Sequence, residues 1–175
     1  MSASLKPLTV EGFLGWERAQ PLRYEFDGIQ PIAMTGGSRR HARVQTDLVI
    51  ALGTLVKPPC QVFGSGLKVI TRHRVRYPDA SVVRGPDLSN ADDVEPTAVF
   101  EALSPSTALT DRRVKPFDYA SVPSVQVYVL LDPETAEATV MRRDRGWDPE
   151  TFTAGAGIPL PDIDVTLPLA AIFPR

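Results

Sequence analysis

Thr97-Ala98-Val99-Phe100-Glu101-Ala102-Leu103-Ser104 is an apolar run interrupted by one carboxylate. It reads as a strand that is apolar on both sides. Glu101 is its anomaly, because an ionised carboxylate is costly to bury unless a cation or hydrogen bonds stabilise it. Metal ligation is one solution. An edge strand whose glutamate reaches water or an arginine is the other. Upstream, Tyr77-Pro78-Asp79-Ala80-Ser81-Val82-Val83 sets a second carboxylate at the start of another apolar strand.

Outward from these strands the chain alternates short elements. Thr9 caps a short helix through Arg18, and Asp27-Gly28 between Tyr24 and Met34 signals a β-hairpin. Ser38 opens a helix from Arg39 to about Val56, with Val44, Leu48, Leu52 and Leu55 at helical spacing and Pro58-Pro59 ending it. Gln61–Phe63 and Leu67–Ile70 around Gly64-Ser65-Gly66 read as a second hairpin. Arg84 to Pro96, with Asp87, Asp92, Asp93 and Glu95, reads as a mobile acidic loop. A helical stretch from Ser104 to about Ala120 carries Pro116, which should kink or split it. Strands at Val125–Leu131 and Ala138–Arg142, a short strand near Val165 and an apolar turn at Leu169–Phe173 complete an α/β (or α+β) layer pattern. No internal repeat or second domain is visible, so residues 1–175 read as a single domain.

Composition narrows the class. With 43% hydrophobic and 23% charged residues the chain is of the globular type. Cys60 is the only cysteine, which excludes an internal disulfide and a cysteine-built zinc site and suggests a reducing compartment. No apolar run approaches the ~20 residues of a membrane span, and Met1–Lys6 lacks signal-peptide character, so the expected location is cytoplasmic. A net charge of −2 argues against a protein that coats nucleic acid. Basic runs at Arg39-Arg40, Arg72 to Arg76, Arg112-Arg113 and Arg142-Arg143 could still meet phosphates, or could be solvated surface.

Two carboxylates from neighbouring strands plus a backbone carbonyl make a hard oxygen site suited to Mg²⁺ or Mn²⁺, and to phosphodiester hydrolysis. Such a site gains from a lysine, and Asp111 and Lys115 lie four apart on the next helix. The bland account of that pair is a surface ion pair. No Gly-x-Ser-x-Gly elbow and no P-loop pattern is present.

Tyr24-Glu25, Asp27-Gly28, His41, Pro78-Asp79, Glu101-Ala102-Leu103-Ser104-Pro105-Ser106-Thr107, Asp111, Lys115, Tyr119 and Asp132-Pro133 occur in that order. This ordered set, from about Leu8 to Trp147, resembles the Uma family of restriction endonucleases, a branch of the PD-(D/E)XK nuclease superfamily. The resemblance implies a restriction-endonuclease-like core: a mixed central sheet flanked by helices, with the N-terminal hairpin beside it. It implies Asp79 and Glu101 as metal ligands, with the Ala102 carbonyl as a third oxygen. The usual lysine two positions after the glutamate is Leu103 here, so that role passes to Lys115. Glu25 and His41 match family positions near the cleft. The sequence departs from the family pattern at Ile29-Gln30, at Gln126-Val127-Tyr128 and at Pro116, which could turn Lys115 away.

The expectation is therefore an Mg²⁺- or Mn²⁺-dependent endonuclease cutting DNA as a homodimer. The other reading is a catalytically silent nuclease-fold module that binds DNA or assembles with protein; a phosphoesterase on a small nucleotide is a weaker third.

Overall fold

The computed structural model describes residues 8–34, 36–85, 91–105 and 107–173. Met1–Lys6, Asp87 and Ser106 lie outside the described residues. Helix α1 (Val10–Glu17) begins at Thr9, whose hydroxyl accepts from Gly12 N. Strands β1 (Tyr24–Phe26) and β2 (Pro31–Ala33) form the expected hairpin. Its turn is longer than two residues: Asp27 Oδ1 accepts from both Ile29 N and Gln30 N at 2.8 Å, an Asx-type turn. Helix α2 (Arg39–Leu55) starts at Ser38, whose hydroxyl accepts from His41 N.

The Gly64-Ser65-Gly66 hairpin does not form. Strand β3 (Cys60–Gly64) pairs with β6 (Ala80–Arg84), whereas β4 (Val69–Ile70) pairs with β5 (Val75–Arg76) in a different sheet. The glycine turn thus passes the chain between sheets, because the better apolar partner for β3 lies some 20 residues away on β6. Strand β7 (Ala98–Ala102) follows, then α3 (Ala108–Arg113) and α4 (Lys115–Ala120). Pro116 does split the helix. It falls in the first turn of α4, where its missing N–H costs no hydrogen bond. Strands β8 (Val127–Asp132), β9 (Glu137–Arg142), β10 (Pro149–Phe152), β11 (Gly157–Leu160) and β12 (Val165–Pro168) complete the chain.

The central sheet has the order β10-β9-β8-β7-β6-β3, with β7 and β8 parallel and the other pairs antiparallel. Strand alternation divides its side chains between two layers. Phe100, Ala102, Val127, Val129 and Leu131 pack with Val44, Leu48 and Leu52 of α2, and with the β11–β12 hairpin. Val99, Tyr128, Leu130 and Met141 face the other way, onto Tyr119 and Val122 at the α4 end. A second sheet, β2-β1-β5-β4, sets the N-terminal hairpin beside this core, with Phe13, Phe26 and Val75 buried beneath it. The architecture is the expected restriction-endonuclease-like one.

Glu101 lies on β7, inside this sheet rather than at its edge, and is 3% exposed. The described part of the acidic loop is tied down. Lys68 N donates to Asp92 O, Val94 N to Lys68 O, and Lys68 Nζ bonds Asp92 Oδ2 at 2.8 Å.

Candidate active site

The alternation of β7 explains the site. Glu101 points to the layer of α3 and α4, while Ala102, next along, faces α2. Lys115 opens α4 and directs Nζ to Glu101 Oε1 at 2.7 Å; Tyr119, one turn on, donates its hydroxyl to the same oxygen at 2.7 Å. Lys115 also meets Asp111 Oδ1 at 3.0 Å and Glu25 Oε1 at 3.6 Å. The Asp111 contact is an ion pair without hydrogen-bond alignment, since Oδ1 has no hydrogen-bond partner among the described residues. Asp111 and Lys115 are 1% and 4% exposed, so they are no surface pair, and Pro116 has not turned the lysine outward.

Asp79 sits just before β6, with both carboxylate oxygens engaged. Ala102 N donates to Oδ2 at 2.7 Å and Gln45 Nε2 to Oδ1 at 2.5 Å. His41 Nε2 lies 2.9 Å from Ala102 O and 3.5 Å from Asp79 Oδ2. A carbonyl only accepts, so Nε2 carries the proton. Glu25 Oε1 accepts from Tyr77 N, and Glu25 Oε2 accepts from Arg76. Arg76 also pairs with Asp118, which Arg74 bonds as well.

All five predicted side chains, Glu25, His41, Asp79, Glu101 and Lys115, line one cleft of about 420 Å³, together with Ala102, Gln45 and Tyr77. Its electrostatics are unbalanced. Burial pushes the Glu101 carboxyl up against the pull of Lys115, and the charges of Asp79, Asp111 and Glu25 push the same way. Burial alone would strip the proton from Lys115, but Glu101, Glu25 and Asp111 outweigh it and hold the ammonium. The hydrogen bond to Asp79 raises the His41 pKa against the cost of burial. The cleft thus collects more carboxylate than cation. Among the described residues no group of three or more His, Cys, Asp or Glu side chains is arranged to hold a metal ion. Asp79, Glu101 and Ala102 line this same cleft.

Sequence reasoning missed Gln45, Arg76 and Asp118. A glutamine on a helix and an arginine in a basic run carry no local signal; only Gln45's place one turn after His41 pointed to the cleft. The basic runs are mostly structural. Arg76 and Arg142 are buried, and Arg143 donates to the carbonyls of Ala120, Val122 and Val125. Exposed Arg40 and Arg112 pair with Glu134 and Asp132. His73 is exposed, as expected.

The model of the Uma2 family, described as "Putative restriction endonuclease", matches residues 10–170. The chain belongs to the Uma2 family. An uncharacterized protein of Synechocystis is 30% identical to this Uma2 chain, over 98% of it and 94% of the relative. A crystal structure from Anabaena variabilis, described as "a putative nuclease", superimposes with a TM-score of 0.76 at 22% identity, covering 95% of this chain and 98% of that one. That likeness establishes the fold. No helix among the described residues is long and apolar enough to cross a membrane.

Proposed function

We propose that this Uma2 protein is a divalent-metal-dependent endonuclease acting on DNA phosphodiesters. The observation that carries this reading is the buried Lys115–Glu101 contact at 2.7 Å, in the same cleft as Asp79. A lysine from a helix thereby stands beside the acidic residue of the central strand, where Leu103 cannot supply one.

The donor set fits the implied ion. Two carboxylates, one backbone carbonyl and a surplus of negative charge suit Mg²⁺ or Mn²⁺, which keep several waters and need only one or two carboxylates. The hard oxygens and the absence of cysteine from the cleft's lining residues disfavour zinc. When bound, such an ion screens the non-bridging phosphate oxygens and lowers the pKa of a water.

The chain's own groups do the rest. Asp79, Glu101 and the Ala102 carbonyl would hold the ion. Lys115 keeps a proton at Nζ and sets positive charge on the cleft floor, where charge develops on the phosphate. Lys115 and Tyr119 together fix Glu101 Oε1. Glu25 shares Lys115 and is itself held by Arg76, and His41 Nε2–H anchors the Ala102 carbonyl. Cutting both strands takes two such sites, and a second copy of the chain is the simplest source.

Two observations favour the silent module: Lys115 already meets three carboxylates, and both Asp79 oxygens are engaged. Supercoiled plasmid separates the two readings. The nuclease converts it to nicked and linear forms with Mg²⁺ or Mn²⁺ and not with chelator. A silent module cuts under neither metal, whether or not it shifts the plasmid's mobility.

A further inference from the structure

Helix α2 turns two kinds of residue inward. Val44, Leu48, Ala51 and Leu52 form the buried apolar stripe against the sheet. His41 and Gln45, one turn apart at its N-terminal end, instead line the cleft. Gln45 is the chain's polar contact to Asp79 from this helix besides His41. Its amide nitrogen is 2.5 Å from Asp79 Oδ1, while Ala102 N takes Oδ2 at 2.7 Å. A carboxylate accepts only, so the amide must present its NH₂ and not its oxygen. Each Asp79 oxygen thus has a close neutral donor, from two different elements, and His41 Nε2 stands farther off, 3.5 Å from Oδ2. The two close donors pin the plane of the carboxylate and leave its charge intact, which a lysine or arginine in the same place would have cancelled.

We propose that Gln45 is a positioning residue for Asp79: it holds the carboxylate in the orientation that receives a divalent cation. This rests on the metal-dependent reading above. Gln45 itself meets neither the ion nor the reacting phosphate. It acts from a helix anchored by its apolar stripe, the kind of rigid support that keeps a ligand in place. Groups that hydrogen-bond metal ligands typically contribute ~10–100-fold to metal affinity. The plain alternative is a helix glutamine that packs on the sheet and happens to touch Asp79.

Calorimetric titration of MgCl₂ into wild type, Gln45→Met and Asp79→Asn tests it. Methionine keeps the length and bulk of the side chain and deletes the donor, so melting should match wild type. The expected result is binding by wild type, loss in Asp79→Asn and an affinity lowered ~10–100-fold in Gln45→Met. Gln45→Ala should show the same loss if Gln45→Met folds poorly, because the donor matters and not the volume. Wild-type affinity in both Gln45 variants, with binding lost in Asp79→Asn, overturns the positioning role and leaves the metal site standing. No binding by wild type, or equal binding by Asp79→Asn, overturns the metal reading and this inference with it.

Discussion

Lys115 Nζ and Glu101 Oε1 stand 2.7 Å apart, with each side chain no more than 5% exposed. A buried pair of this kind is weak evidence for stability, since desolvation offsets much of the Coulombic gain. Breaking one partner is another matter. Lys115→Met leaves Glu101, Asp111 and Glu25 facing one another without their shared cation. It should destabilise the protein by about 3 kcal/mol or more in urea unfolding and abolish cleavage. A Lys115→Met protein as stable as wild type would show that the carboxylates are not held as described.

Arg76 is the second buried cation of the site's surroundings. It bonds Asp118 and Glu25 while 2% exposed. Arg76→Met should cost roughly 3–5 kcal/mol, because Glu25 Oε2 and Asp118 Oδ2 both lose their buried cation. Arg40→Met, which breaks the exposed pair with Glu134, should change stability by less than ~1 kcal/mol. Equal effects from the two would contradict the burial contrast.

The Asp92–Lys68 contact gives a pH signature. The Lys68 hydrogen bond lowers the Asp92 pKa against the cost of burial. A depressed acid contributes stability above its unfolded pKa and loses it as the pH falls through the folded value. Asp92→Asn should therefore melt below wild type near neutrality, and the gap should close in acid below the ordinary aspartate range. Since Asp92 is 65% exposed on its side chain, the effect should stay under ~1 kcal/mol. A gap that persists in strong acid would place its cause elsewhere.

Pro116 offers a check on the helix break. In the first turn of α4 it replaces no hydrogen-bonded N–H. Pro116→Ala should shift stability by less than ~1 kcal/mol and keep Lys115 in place, so activity should survive. Loss of cleavage in Pro116→Ala would mean that the proline itself directs the lysine.

Much of this was legible in the residues, and the rest failed for physical reasons. Helix α2 followed from apolar spacing and a serine cap, which are local signals. So did the strand around Glu101 and the break at Pro116. The false hairpin at Gly64-Ser65-Gly66 shows the limit: turn residues are local, but β3 and β4 choose partners by long-range burial. Strands β10 and β11 went unread, since Pro149-Glu150-Thr151-Phe152 and Gly157-Ile158-Pro159-Leu160 carry turn residues and gain their pairing from neighbours. In the cleft, Asp79 and Glu101 stood out as acids in apolar strands, and Lys115 through its spacing from Asp111 and the family resemblance. Gln45 did not, because a polar residue on a helix is ordinary until a fold sets an aspartate against it.

The most direct test of the central claim is cleavage of supercoiled plasmid in Mg²⁺ or Mn²⁺ by wild type beside Glu101→Gln, which keeps the shape of the side chain and removes its charge. The account predicts metal-dependent nicking by wild type and a loss of two or more orders of magnitude, ~10²-fold at least, in the variant. Equal cleavage by both proteins, or nicking by wild type that persists in chelator, would contradict it.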